Sequence, residues 1–220
     1  MISRSARLKW DSSTNVVVDG NSITVYGFPL LLYGQEPVST SGASTHECGV
    51  GGQTWRNMDG LDGGSSADVD AAYVAGKRNV LVAWETTNQA AGGGTAQSIA
   101  DSCAQYIANR RALHPDWIVM VLTSLPRYST GNPALTQRLI DVDDIMRRAW
   151  RSMGIDYLFD TRRMVPTLGF SGFSAADFQA TQSYWNETSD WLHPTMDGHA
   201  LITRQVASAL RALPAKTRNR

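Results

Sequence analysis

Short, nearly continuous apolar runs punctuate the chain, separated by loops and by longer stretches of helical periodicity. The runs are Asn15 to Asp19 (NVVVD), Asn79 to Trp84 (NVLVAW), Trp117 to Thr123 (WIVMVLT) and the shorter Ile155 to Phe159 (IDYLF). Runs of this kind bounded by polar residues suit parallel strands covered on both faces. Between them, Thr95 is placed to cap a helix whose apolar face runs through Ile99, Cys103, Tyr106 and Ile107. Asn132-Pro133 supplies a cap and a first-turn proline for a second helix. That helix turns Leu135, Leu139, Val142, Ile145, Met146, Ala149 and Trp150 inward, and Gly154 ends it. A last helix is expected from near Gly198 to Leu213, with Asp197 as its candidate cap. Alternating strands and helices predict an α/β fold with a largely parallel sheet flanked by helices. In such a sheet the ligand site lies beyond the carboxyl ends of the strands.

Composition narrows the class. The 220 residues suit one domain, 1–220, with a loose N-terminal segment over about the first dozen residues and a tail over about the last seven. Lys and Arg number 20 and Asp and Glu 20, a zero balance that argues against a dedicated nucleic-acid binder. No apolar stretch is long enough to cross a membrane, so no membrane insertion is expected. The opening MISRSARLKW is charged but leads into no apolar run, so it does not read as a secretory signal. That suits a cytoplasmic or phage-particle-associated protein. Cys48 and Cys103 lack zinc-ligand spacing and read as buried thiols, with a disulfide or a reactive cysteine as the alternatives. No metal or organic cofactor is expected.

Candidate chemistry collects where strands should end. The first strand runs into Gly20-Asn21-Ser22-Ile23-Thr24, which presents a hydroxyl just past a buried strand. On its own this block reads more simply as a helix cap, with Ser22 as the capping residue. Near the other end, Asp190-Trp191-Leu192-His193-Pro194 places a carboxylate and an imidazole three residues apart. A hydroxyl nucleophile needs a base, and that base needs an orienting acceptor on its other nitrogen. Alone, the pair also reads as a surface Asp and a His held against Pro194. Two further blocks, Gly49-Val50-Gly51-Gly52-Gln53-Thr54 and Thr86-Thr87-Asn88-Gln89, complete a set that can converge on one rim of the sheet.

In order and spacing these four blocks resemble the SGNH, or GDSL-type, hydrolase family over about residues 15 to 210. The resemblance implies a three-layer α/β/α, flavodoxin-like fold and a serine esterase. Ser22 would be the nucleophile, His193 the general base and then acid, and Asp190 the group orienting the imidazole. The oxyanion hole would comprise the Ser22 and Gly52 backbone N–H groups and the Asn88 side-chain amide. The chain departs from the family pattern at Asn21, where Asp is usual, and at Thr86 and Gln89, where Gly and Asp are usual. These changes touch the positioning of the turns and leave every catalytic atom in place.

The implied substrate is a small-molecule or carbohydrate ester, hydrolysed with removal of an acetyl or other short acyl group. A lysophospholipase or thioesterase activity, or a non-catalytic module retaining the fold, are the alternatives. Substrate contacts are expected from Asn21, Trp185 and Trp191, the tryptophans belonging to an aromatic-rich stretch over 161–191. His199 is expected to be an ordinary exposed residue on the last helix, and Arg147, Arg148 and Arg151 a solvated helix face.

Overall fold

A computed structural model describes residues 8–60, 64–125, 133–165, 184 and 193–213. Five strands form one parallel sheet: β1 (Thr14–Gly20), β2 (Ser44–Glu47), β3 (Arg78–Trp84), β4 (Ile118–Leu122) and β5 (Tyr157–Phe159). Their spatial order is β2-β1-β3-β4-β5, and β1 pairs with β3 along its length, from Thr14 opposite Arg78 to Gly20 opposite Trp84. From β1 the chain moves outward to β2 and then returns to the other side of β1 as β3. The sheet's direction of growth therefore reverses between β1 and β3, the place where open parallel sheets open a crevice at their carboxyl ends.

Ten helical segments are described: α1 (Ser22–Val25), α2 (Phe28–Tyr33), α3 (Val38–Ser41), α4 (Trp55–Met58), α5 (Ser66–Ala71), α6 (Thr87–Ala91), α7 (Ala96–Leu113), α8 (Pro133–Ala149), α9 (Thr161–Met164) and α10 (Met196–Arg211). The strands' alternating side chains feed two cores. Val16, Val18, Val80, Val82, Met120 and Leu122 pack with Phe28 and Leu32 of α2 and with Ile202, Val206 and Leu210 of α10. Val17, Leu81, Val119 and Val121 point the other way, onto Trp55 and Met58 of α4, Ile99, Tyr106 and Ile107 of α7, and Leu139 and Met146 of α8. Each such fully buried aliphatic or aromatic side chain contributes about 1.5–3 kcal/mol, and burial on both faces explains the continuous apolar strands.

The apolar runs at β1, β3, β4 and β5 and the Thr95 cap agree with expectation; the Thr95 side chain accepts a hydrogen bond from the Ser98 N–H. Asn132 lies outside the described residues. Two expectations are corrected, and one strand was not anticipated. The cap of α10 is Thr195, which accepts from the Gly198 N–H, while Asp197 sits inside the first turn. Arg147 is no free surface cation: it pairs with Asp160, Nε to Oδ2 at 2.7 Å. The edge strand β2 is polar and largely exposed, which hides it from a search for apolar runs. Cys48 and Cys103 are both buried free thiols, and burial pushes the Cys48 thiol up to about 12, leaving it unreactive at neutral pH.

Candidate active site

The site begins where β1 stops. Gly20 lies against β3 so closely that a Cβ there would sit 2.3 Å from the Trp84 carbonyl oxygen and 2.1 Å from Thr24 Oγ1. Only glycine lets the chain turn at this point. Asn21 is the cap of α1, its side chain accepting from the Ile23 N–H at 2.9 Å, so Ser22 occupies the first helical position and is not the cap. The Thr24 hydroxyl donates to the Trp84 carbonyl at 3.2 Å and stitches the turn to the end of β3.

Half-buried Ser22 faces the imidazole of His193, with Oγ and Nε2 2.8 Å apart across 171 residues of sequence. This is hydrogen-bond distance between a hydroxyl and a base able to take its proton. His193 directly precedes the Pro194-Thr195 entry to α10, and the Thr195 N–H donates to the Tyr184 carbonyl at 2.9 Å. Tyr26, largely exposed, stands edge-on to the imidazole with ring centroids 5.1 Å apart.

The Gly52 loop reaches the same rim. The Val50 N–H donates to the Gly20 carbonyl at 2.9 Å, and the Gln53 side-chain amide donates to that same oxygen at 2.7 Å. Gly52 has φ +83°, a left-handed conformation that favours glycine, and an added Cβ would meet nothing within 4 Å. Its requirement within the protein itself is therefore conformational. Asn88, near the start of α6, donates through Nδ2 to the Gln53 carbonyl at 3.0 Å, placing its amide beside the Gly52 loop. Ser22, the Gly52 loop, Asn88 and His193 thus meet at the carboxyl edge of β1, β2 and β3, beside the crevice.

Two buried carboxyls underpin this rim. Asp19, fully buried at the end of β1, accepts from the Gly20 N–H, Ser65 Oγ, Tyr106 Oη and Gln53 Nε2, at 2.8, 2.9, 2.6 and 3.2 Å. Burial pushes it up to about 6 even against those four donors. Glu85, immediately after β3 and 1% exposed, accepts from the Asn88 and Gln89 N–H groups at 2.8 and 3.1 Å. Burial raises Glu85 to about 8, opposed by these two bonds and by the neighbouring Asn21 amide. A neutral amide at position 21 can lie near this carboxyl, whereas a second buried carboxylate would repel it. This gives a physical reason for Asn where the resemblance leads one to expect Asp.

Asn21 is itself 1% exposed and committed to the cap, which corrects its assignment as a substrate contact. His199 is likewise corrected: it is fully buried in α10, and neither ring nitrogen has a hydrogen-bond partner among the described residues. Burial pushes its pKa down to about 4, with His193 adding to the shift. Asp190, Trp185 and Trp191 lie outside the described residues. Glu85 and Asp19 escaped the sequence reading; each is a carboxyl ending an otherwise apolar strand beside a candidate block, a signal that was available.

No family model and no curated protein matches the chain. Solved structures do. A GDSL-like lipase from Parabacteroides merdae superimposes with a TM-score of 0.68 at 16% identity, over 93% of this chain and all of that one. A mutant of Axe2, an acetyl-xylooligosaccharide esterase from a Geobacillus species, gives 0.64 at 13% identity, over 97% and 100% of the two chains. An acylhydrolase from Bacteroides fragilis gives 0.60 at 19% identity, over 89% and 86%. The likeness is one of fold: the chain has the three-layer α/β/α architecture of the GDSL-type hydrolases.

Proposed function

We propose that the protein is a serine esterase that cleaves carboxylic esters through an acyl-enzyme on Ser22. The observation that carries this reading is the 2.8 Å approach of His193 Nε2 to Ser22 Oγ at the strand ends, with the Asn88 amide and the Gly52 loop on the same rim. His193 takes the Ser22 proton as Oγ attacks the ester carbonyl carbon. The Ser22 and Gly52 N–H groups and the Asn88 amide receive the negative charge that develops on the carbonyl oxygen. As the intermediate collapses, the C–O bond to the alcohol breaks and His193 returns its proton to that leaving oxygen. Water then repeats the sequence on the acyl-enzyme and releases the acid. Asp190, three residues before His193, is assigned to orient the imidazole.

The substrate class we favour is a short-chain acyl ester, an acetylated carbohydrate foremost. It is supported by the fold shared with an acetyl-xylooligosaccharide esterase and by a zero net charge, which steers toward no ionic substrate. A longer-chain acyl hydrolase is the second reading, favoured by the exposed Tyr26 and Met196 beside the site, Met196 Sδ lying where a Cβ on Gly27 would meet it at 3.0 Å. Hydrolysis of p-nitrophenyl esters with acyl chains from acetyl to lauroyl, alongside acetylated xylo-oligosaccharides, separates the two. Acetyl and butyryl esters are expected to give the highest kcat/KM, and a maximum at octanoyl or longer would select the second reading. His193→Ala should lower turnover of every ester by several orders of magnitude, the scale of triad removal. An unaffected rate would remove the basis of the esterase reading.

A further inference from the structure

The crevice between β1 and β3 separates the two halves of the site: the Ser22 turn leaves β1 and the Asn88 loop leaves β3. Something must hold these halves in register, because the oxyanion donors from both have to meet one oxygen atom. Thr86, the formal cap of α6, makes no side-chain capping bond. Glu85 fills that role from one position earlier, its Oε1 receiving both the Asn88 and the Gln89 N–H groups. The buried Oε2 has no hydrogen-bond partner among the described residues, so both hydrogen bonds of this carboxyl go to the Asn88 loop.

From this juxtaposition we propose that Glu85 is a positioning residue of the esterase, which locks the Asn88 loop in place at the end of β3 and so holds the Asn88 amide in the oxyanion hole. The proposal rests on the esterase reading and adds to it a residue that touches no substrate. Burial favours the neutral acid, with the pKa pushed up to about 8, so the lock works at neutral pH without placing a negative charge beside the forming oxyanion. The facing groups fit that view. Asn21 from α1 and Asn88 and Gln89 from α6 are uncharged, and the titratable Cys103 of α7 is a thiol that burial keeps protonated. A carbonyl-type oxygen accepting two N–H groups is what the arrangement requires, and a glutamine supplies it equally well.

The test compares Glu85→Ala, Glu85→Asp and Glu85→Gln in the full chain, each checked by its melting curve, with p-nitrophenyl acetate as substrate at pH 7. Removing the clamp in Glu85→Ala, or withdrawing it by one methylene in Glu85→Asp, should lower kcat about 10- to 100-fold with KM changed less than about threefold. Glu85→Gln should keep kcat within about threefold of the parent. In the double variant Glu85→Ala with Asn88→Ala, kcat should fall no further than in Asn88→Ala alone, because both act through one amide. A Glu85→Ala loss that multiplies with that of Asn88→Ala, or full kcat in Glu85→Asp, overturns the assignment. Should Glu85→Ala fail to fold, Glu85→Asp against Glu85→Gln decides, since equal kcat in the two contradicts the lock. The parent protein is titrated first with a fluorophosphonate. If it forms no adduct, the esterase reading has failed and the role of Glu85 falls with it; an adduct together with an insensitive Glu85 refutes the lock alone.

Discussion

Replacing Gly20 with alanine puts a methyl group 2.3 Å from the Trp84 carbonyl oxygen and 2.1 Å from the Thr24 hydroxyl. The hydroxyl can rotate away, but the carbonyl belongs to β3 and is paired in register with Gly20 itself. Since Cβ contacts do not occur below 3.0 Å, the ends of β1 and β3 must separate by about 0.7 Å or more, with the usual overpacking cost of about 1–3 kcal/mol. For a chain of this length that corresponds to a melting temperature lower by roughly 2–12 °C. The same displacement widens the crevice between Ser22 and Asn88, and misplacement on the scale of an ångström costs up to about 100-fold in rate. Gly52→Ala is the natural companion. Its Cβ meets open space, so it carries only the left-handed backbone penalty of about 1–2 kcal/mol. Melting by circular dichroism and kcat on p-nitrophenyl acetate read both effects. A Gly20→Ala protein that melts within about one degree of the parent and keeps its full kcat would refute the close approach of the two strands and the reasoning built on it.

Asn88→Ala should reduce kcat by about 100- to 1,000-fold, the usual loss for one oxyanion donor, and a loss under about threefold in steady-state assays would exclude the amide from that role. His199→Leu should leave kcat within severalfold, because the imidazole is buried and hydrogen-bonds to no residue of the site, and should gain stability relative to the parent as pH falls from 6.5 toward about 4. In the parent, the unfolded chain takes up a proton over that window that buried His199 refuses, so folding is penalised in acid; melting curves of the two proteins that shift in parallel from pH 7 to 4 would contradict this. Glu85 works in the opposite sense. The folded protein keeps a proton up to about pH 8 that the unfolded chain loses in the ordinary carboxylate range, so its contribution is full in acid and is lost as pH rises toward 8. Asp19 and Asp143, both raised to about 6 by burial, add to this loss. Glu85→Gln should therefore become steadily more stable relative to the parent as pH rises from the carboxylate range to about 8, and a constant difference in melting temperature would show that Glu85 is not held protonated.

Much of the sheet was legible because β1, β3 and β4 are buried on both faces and so carry unbroken apolar runs. The strand Ser44-Thr45-His46-Glu47 is the counterexample: at the sheet edge only backbone pairing with β1 defines it, and its side chains carry no apolar signal. The Ser22 and His193 blocks could be found because their chemistry needs particular residue types in order along the chain. Burial of individual polar residues could not. His199 looks like any helix-surface histidine in sequence, yet the packing of α10 on the sheet encloses it. Asn21 read as a substrate contact, whereas the turn directs its side chain inward to cap α1. Glu85 stands out in sequence as a carboxyl just past an apolar strand, but the two backbone N–H groups it accepts from reach it only when α6 folds back over it.

Whether Ser22 is an activated nucleophile decides the rest. Incubating the intact protein with a fluorophosphonate at neutral pH, followed by intact-mass measurement and peptide mapping, tests this most directly. A single adduct on Ser22, absent from Ser22→Ala and strongly slowed in His193→Ala, is the predicted result. No adduct, or one on another residue that persists in Ser22→Ala, would contradict it.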